Sequence, residues 1–233
     1  MTIDRSLSWH DVHCVAGSCM RPGGPLLTRR ALEFCRLPEG SRVADIGCGA
    51  GETLEHLEGA AIYRPVGLDY SAALLEEAVP RLGSSRIVRG RAETLPFKDA
   101  LFGALFCECV LSILEDGAKA LEEYARVLRK GGFLILSDVF ATRGPAREQP
   151  EADLHGPKTR APLVKEELLG SLERLGFSLL LWEEHERLLK EFAARMILAG
   201  IRLPDSWGCG QRWKAKKPDY AGLSYFLLVG RKG

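Results

Sequence analysis

Val43-Ala44-Asp45-Ile46-Gly47-Cys48-Gly49-Ala50-Gly51 runs an apolar strand into three alternating glycines, and Glu52 to Leu57 continues with a helical pattern. That order describes a buried parallel strand whose carboxyl end turns so tightly that backbone, not side chain, faces a ligand. Each glycine has its own steric reason: one for the turn, one for close ligand approach, one for helix-on-strand contact. A second apolar stretch, Arg64-Pro65-Val66-Gly67-Leu68, ends in Asp69, eighteen residues beyond Gly51. An acid at the tip of the next strand is placed to hold a ribose diol. The spacing argues against a dinucleotide, whose fingerprint wants glycine at the sixth position counted from Gly47, where this chain has Glu52. A carboxylate there would oppose a pyrophosphate at the helix N-terminus.

Outward from this turn, strand-like and helix-like segments alternate, as a parallel sheet covered on both faces requires. Strands are expected near 42–47, 64–69, 85–89, 102–108, 132–138, 177–182 and 225–230. The helix after the first strand begins around Gly51, and Ser71 is placed to cap Ala72 to Leu82. Asp116 starts another, with Ala118, Leu121, Ala125 and Leu128 on one face and Gly131-Gly132 ending it. Val164 to Leu175 turns Leu168, Leu172 and Leu175 inward, with Gly176 as its stop. A helix over 184–198 sets Leu188, Phe192 and Met196 on one side. Ahead of the glycine turn, Leu27, Ala31, Phe34 and Cys35 recur at helical spacing after Pro25.

Composition narrows the partners. A chain of 233 residues buries roughly 70–75% of its unfolded surface, enough for one α/β domain with additions. Lysine plus arginine number 32 against 31 acids, so no global field steers the protein toward nucleic acid or an anionic membrane, and a small molecule is the expected substrate. Gln211-Arg212-Trp213-Lys214-Ala215-Lys216-Lys217 does interleave an aromatic with basic residues, as an RNA-contacting loop would, but such a run is more often a solvated loop. Apolar runs are short and Met1 to His13 is polar, so neither a signal peptide nor a membrane span is expected. Seven cysteines without repeating spacing point away from a disulfide framework and toward a reducing cytoplasm. His10, His13, Cys14 and Cys19 lack a familiar ligand spacing, and no metal is expected. Nothing in the pattern points to an oligomeric state.

With Asp45 ahead of the glycines, Asp-x-Gly-x-Gly-x-Gly resembles motif I of class I S-adenosylmethionine-dependent methyltransferases, those of ubiquinone and menaquinone biosynthesis included. The resemblance runs from about Leu26 to Arg231. It implies a Rossmann-like three-layer α/β sandwich on a seven-stranded, mostly parallel sheet whose antiparallel terminal strand lies between the fifth and sixth. It also implies an N-terminal lid and helix over 1–40 and a methyltransferase domain over 41–233 with an insertion at about 184–222. The cofactor is then S-adenosylmethionine. Gly47, Cys48, Gly49 and Gly51 would pass under its methionine half, with Asp45 near the amino group. Asp69 would take the ribose hydroxyls and Tyr70 would stack beside adenine or simply pack. Gly90-Arg91-Ala92-Glu93-Thr94-Leu95-Pro96-Phe97 resembles the family's next motif. Arg91 stands where many members have Asp, so Ala92 and Glu93 are the adenine candidates.

The end of the fourth strand, Cys107-Glu108-Cys109, should face the sulfonium. Cys107 is either a cofactor neighbour or a small core residue; Glu108 either a general base or an orienting group for the methionine amine. Glu108-Cys109-Val110 and Ser137-Asp138-Val139-Phe140 also resemble short segments of arsenite methyltransferases. An alternative is therefore arsenite or thiol methylation with Cys109 beside Cys14 or Cys19, since soft metalloids select thiolates. A further alternative is a protein that binds S-adenosylmethionine without turnover, or one that contacts RNA.

Overall fold

The computed structural model describes residues 20–59, 63–82, 86–142, 162–199 and 222–233. Every residue of β4, Phe102–Glu108, is buried. A strand covered on both faces must read as a nearly continuous apolar run, and this one does. It pairs in parallel with β1, Arg42–Ile46, on one side and with β5, Leu128–Ala141, on the other. Beyond β1 lie β2, Arg64–Asp69, and β3, Ile87–Arg89, both parallel. β8, Leu223–Lys232, runs antiparallel between β5 and β7, Phe177–Glu184. The order is therefore β3-β2-β1-β4-β5-β8-β7, with the short β6, Leu163–Val164, pairing with β5 off that path. This is the seven-strand arrangement expected, with the terminal strand inserted as foreseen and β6 as an extra. Successive strands depart in opposite directions from β1 and β4. Open α/β sheets bind ligands at such a reversal, outside the carboxyl ends of the strands.

Alternate residues of the central strands feed the two faces. Leu105, Cys107, Leu134 and Leu136 meet α4, Gly117–Val127, and α5, Lys165–Arg174. Ala104, Phe106 and Ile135 meet α1, Pro25–Cys35, α2, Glu52–Gly59, and α6, Glu186–Leu198. The remaining helix, α3, Ala72–Leu82, begins at Ser71, whose hydroxyl accepts from the Leu74 amide. Asp116 caps α4 through the Lys119 amide, and the Lys232 ammonium donates to the carbonyls of Ala125 and Leu128 at its other end. A cation there is favoured by the helix dipole as well as by the orphan carbonyls. Among the described residues no helix is long and apolar enough to cross a membrane.

Three inward faces differ from the pattern read in the sequence. α1 buries Leu27, Thr28, Ala31 and Cys35, while Phe34 is 37% exposed. Thr28 takes the place because its hydroxyl is occupied inside. α4 buries Ala120, Leu121, Tyr124 and Ala125 rather than Ala118, and Tyr124 is tolerated because its hydroxyl meets Cys107 Sγ at 3.4 Å. Leu128 is not helical but opens β5, so Gly131 lies inside that strand instead of ending the helix. In α6, Leu189 is the buried leucine and Leu188 is half-buried.

β1 ends at the glycine turn. The Gly47 and Cys48 amides both donate to Leu68 O, at 2.7 and 3.1 Å, which closes the turn against β2. Gly47 has φ +80°, and a Cβ there would come 2.1 Å from Val110 Cγ2. Gly51 has φ +88° and a Cβ would come 2.4 Å from Leu82 Cδ1, so this glycine is the one that lets α3 close on the turn. We expect Gly47→Ala to destabilise by roughly 2–4 kcal/mol, the sum of a left-handed backbone and an overpacked contact. Adding Val110→Ala should recover at least about 1 kcal/mol as a favourable coupling between contacting sites. Denaturant titration of the two single variants and the double variant measures this, and simple additivity would place the whole cost in the backbone.

Candidate active site

A cavity of about 370 Å³ opens at the carboxyl ends of β1 and β4. Gly47, Cys48, Gly49, Asp69, Tyr70, Ala92, Glu93, Glu108 and Cys109 all line it, as the sequence predicted. Three expected residues do not. Gly51 faces α3, and Cys107 points to the opposite side of β4, where it packs in the core with Tyr124. Asp45 is fully buried behind the wall, 2% exposed. Strand alternation is the reason for Cys107: its neighbour Glu108 takes the cavity side.

The inner end is a buried charge cluster that sequence reading missed in part. Glu108 accepts hydrogen bonds from Thr28 Oγ1 at 2.9 and 3.2 Å and from Thr53 Oγ1 at 2.7 Å. Arg21, supplied by the segment before α1, lies 3.4 Å from Glu108 and donates to Glu52 at 3.2 Å and Thr28 at 3.1 Å. Burial, and next the Glu108 carboxylate, push the Asp45 carboxyl well above its ordinary range. Among the described residues its Oδ2 has no hydrogen-bond partner. Glu52, the carboxylate that argued against a dinucleotide, is likewise raised by burial and sits on the cavity wall. Thr28 carried a usable signal, a polar residue inside the apolar stripe of α1. Arg21 carried none.

At the outer end the Gly49 amide donates to Asp69 Oδ2 at 2.8 Å and the Ser71 amide to Oδ1 at 2.7 Å. The Tyr70 amide also bears on this carboxylate, whose two oxygens together offer about four lone-pair sites. Tyr70, 66% exposed, lies under the Arg91 guanidinium, 5.7 Å from its ring centre. Arg91 in turn pairs with Glu93 at 3.3 Å and Glu115 at 2.8 Å. At the exit of β4, Cys109 adopts φ 57°, and its Sγ lies 3.1 Å from the Tyr225 hydroxyl, which donates to Ser137 Oγ. Val110 leads into a single 3₁₀ turn, Leu111–Ile113, whose Ser112 donates to Asp138 through both its amide and its hydroxyl.

Residues 44–136 match the methyltransferase domain family. Over these residues the chain carries a methyltransferase domain. It is 28% identical over 161 residues to the O-methyltransferase rstn1 of Aspergillus nomiae, covering 66% of this chain and 72% of that one. Among solved structures, the [4+2]-cyclase SpnF superposes with a TM-score of 0.65 at 26% identity, covering 88% of this chain and 79% of its own. The phosphoethanolamine N-methyltransferase 2 of Haemonchus contortus, solved with phosphomonomethylethanolamine and S-adenosylhomocysteine, superposes with a TM-score of 0.72 at 19% identity, covering 96% of this chain but 56% of the nematode protein.

In this methyltransferase domain the arsenite alternative finds no support. Burial, and then the nearby Asp138, push the Cys109 thiol well above its ordinary range. A soft metalloid is bound as thiolate, and a thiol raised by burial is the less ready ligand. His10, His13, Cys14 and Cys19 lie outside the described residues, as do residues 143–161 and the basic run Gln211 to Lys217. Among the described residues no group of acidic, histidine and cysteine side chains is arranged to hold a metal.

Asp138 provides a pH test of the cavity wall. Burial raises its carboxyl to about 6, against opposing hydrogen bonds from the Ser112 hydroxyl and from the amides of Leu111, Ser112 and Val139. The folded-state value lies above the unfolded one of about 3.9, so the fold favours the protonated form. Its contribution is complete below about pH 4 and is lost as pH rises through 6. Wild-type stability should therefore fall by on the order of 2–3 kcal/mol from this group between pH 4 and pH 7. Asp138→Asn should remove that slope, as read from denaturation midpoints across the range.

Proposed function

We propose that this cavity holds S-adenosylmethionine and that the protein passes its methyl group to a small organic acceptor, with oxygen as the receiving atom. The carrying observation is Asp69. It stands at the tip of β2 with each oxygen anchored by a backbone amide, one of them from the glycine turn itself. A carboxylate so fixed is preorganised for two adjacent hydroxyls. Ala92 and Glu93 then edge the adenine and Tyr70 lies beside it. Gly47, Cys48 and Gly49 run under the methionine half. The inner cluster suits an amino-acid terminus: Arg21 for the carboxylate and Glu108 for the ammonium.

When bound, the cofactor supplies a methyl group on positively charged sulfur, and transfer leaves a neutral sulfide. What the chain contributes is placement and the exclusion of water. We assign Glu108 an orienting role rather than that of a base, because its oxygens already accept from two threonines beside a guanidinium. Oxygen is favoured because the fungal relative is an O-methyltransferase. The N-terminal lid is supported by Met20 and Arg21, its described residues, which line the cavity. A reducing cytoplasm fits the free Cys35, Cys48, Cys107 and Cys109.

Calorimetry should show S-adenosylmethionine and S-adenosylhomocysteine binding in the micromolar range and nicotinamide dinucleotides not binding. Asp69→Ala should weaken cofactor binding by about 1–3 kcal/mol, the scale of lost hydrogen bonds to a charged group. Unchanged affinity would move the ribose contact elsewhere. Cys109→Ser should retain methyl transfer; its loss together with loss of stoichiometric arsenite binding would restore the arsenic reading.

A further inference from the structure

The cavity wall is strongly acidic in a chain whose formal net charge is +1. Glu52, Asp69, Glu93, Glu108 and Glu115 line it against Arg21 and Arg91, a formal balance of five negative to two positive. At the inner end the imbalance is sharper. Among the described residues, Asp45, Glu52 and Glu108 surround the guanidinium of Arg21, Arg195 bears on Glu52 more weakly than Arg21 does, and no described group pairs with the buried Asp45 Oδ2. Even with a proton on Asp45, two carboxylates face the Arg21 cation at this end. Walls of low dielectric focus such a field into the cavity rather than letting water disperse it.

Resting on the reading of this cavity as the cofactor site, we propose that the inner acids make it selective for charge: it binds the cationic sulfonium cofactor in preference to its neutral demethylated product. The amino-acid terminus is the same zwitterion in both molecules. They differ by the methyl group and by one positive charge on sulfur. On transfer the bond from sulfur to methyl breaks with its electron pair left on sulfur, so the ligand loses the charge the cavity favours. Glu108 is the specificity-determining residue, because it is the one inner acid that both lines the cavity at the exit of β4 and is fixed in place by three side chains. The field then promotes exchange of spent cofactor for fresh and limits product inhibition.

The test compares dissociation constants, not turnover. S-adenosylmethionine, S-adenosylhomocysteine and sinefungin are titrated into wild type at low and physiological ionic strength. Sinefungin bears a protonated amine in place of the sulfonium and carries the same extra charge. Both cationic ligands should bind at least about tenfold tighter than S-adenosylhomocysteine, the scale of one unit charge in a partly buried site. Glu108→Gln should weaken S-adenosylhomocysteine through the shared ammonium but weaken the two cations further, narrowing the ratio to within about threefold, with a retained cooperative unfolding transition reporting that the variant is folded. Glu52→Gln, which removes the other inner charge on the cavity wall, should narrow it partially and gives a second variant if Glu108→Gln does not fold. Equal or tighter binding of S-adenosylhomocysteine to wild type would overturn the proposal, as would a ratio unchanged in the variants. Binding of S-adenosylmethionine with no such ratio would sink this inference alone, whereas binding of none of the three would overturn the reading of the cavity and this inference with it.

Discussion

Glu108 is a carboxylate withdrawn from water at the end of the most buried strand, and satisfying it ties the molecule's separate parts together. Thr28 arrives from α1, Thr53 from α2 and Arg21 from the segment before α1. A buried charge costs several kcal/mol unless its lone pairs are met, and removing one partner from such a pair costs about 3–5 kcal/mol. The end of the sheet, the N-terminal helix and the helix of the glycine turn therefore cannot drift independently. Exposed pairs such as Lys119–Glu122 impose no comparable constraint, being worth at most about 1 kcal/mol.

The other walls of the cavity are braced from behind in the same manner. The glycine turn is held by Leu68 O and by Asp69. The segment that follows β3 is held by α4, where Arg126 donates to the carbonyls of Leu95 and Phe97 and Glu123 accepts from the Leu95 amide. The 3₁₀ turn beyond β4 is held by Asp138 of β5. Each of these three segments at the carboxyl edge of the sheet thus takes its position in part from a charged side chain on a regular element. Site precision is greatest when the groups that hold a loop sit on rigid elements.

These braces mark the boundary of what sequence could disclose. The glycine turn was legible because its constraint is local: left-handed backbone and close contact admit little but glycine. Strand order followed from the resemblance, and Asp69 from its distance beyond the turn. Arg21 was not legible, since its partners Glu52 and Glu108 lie far along the chain and no periodicity announces a long-range ion pair. Thr28 was legible in principle, as a polar residue at the spacing of Leu27, Ala31 and Cys35, but Phe34 drew the inward face toward itself. Cys107 was left between the cavity and the core for want of the two-residue period of its own strand. The period sends Leu105 and Cys107 to the face of α4 and leaves Glu108 for the cavity.

The same braces bear on the chemistry. The described groups near the exit of β4 that might take a proton from an acceptor are already engaged. Glu108 is met by two hydroxyls and a guanidinium, Asp138 by Ser112 and the Val139 amide, and the Cys109 thiol by Tyr225. SpnF, a cyclase, shares the sheet, so the fold alone selects no reaction. What the described residues supply is a rigid, negatively charged cradle with no spare base. A cradle of that kind suits displacement at a carbon already activated by positive sulfur, in which alignment of the acceptor carries the rate and its proton leaves to a group other than these.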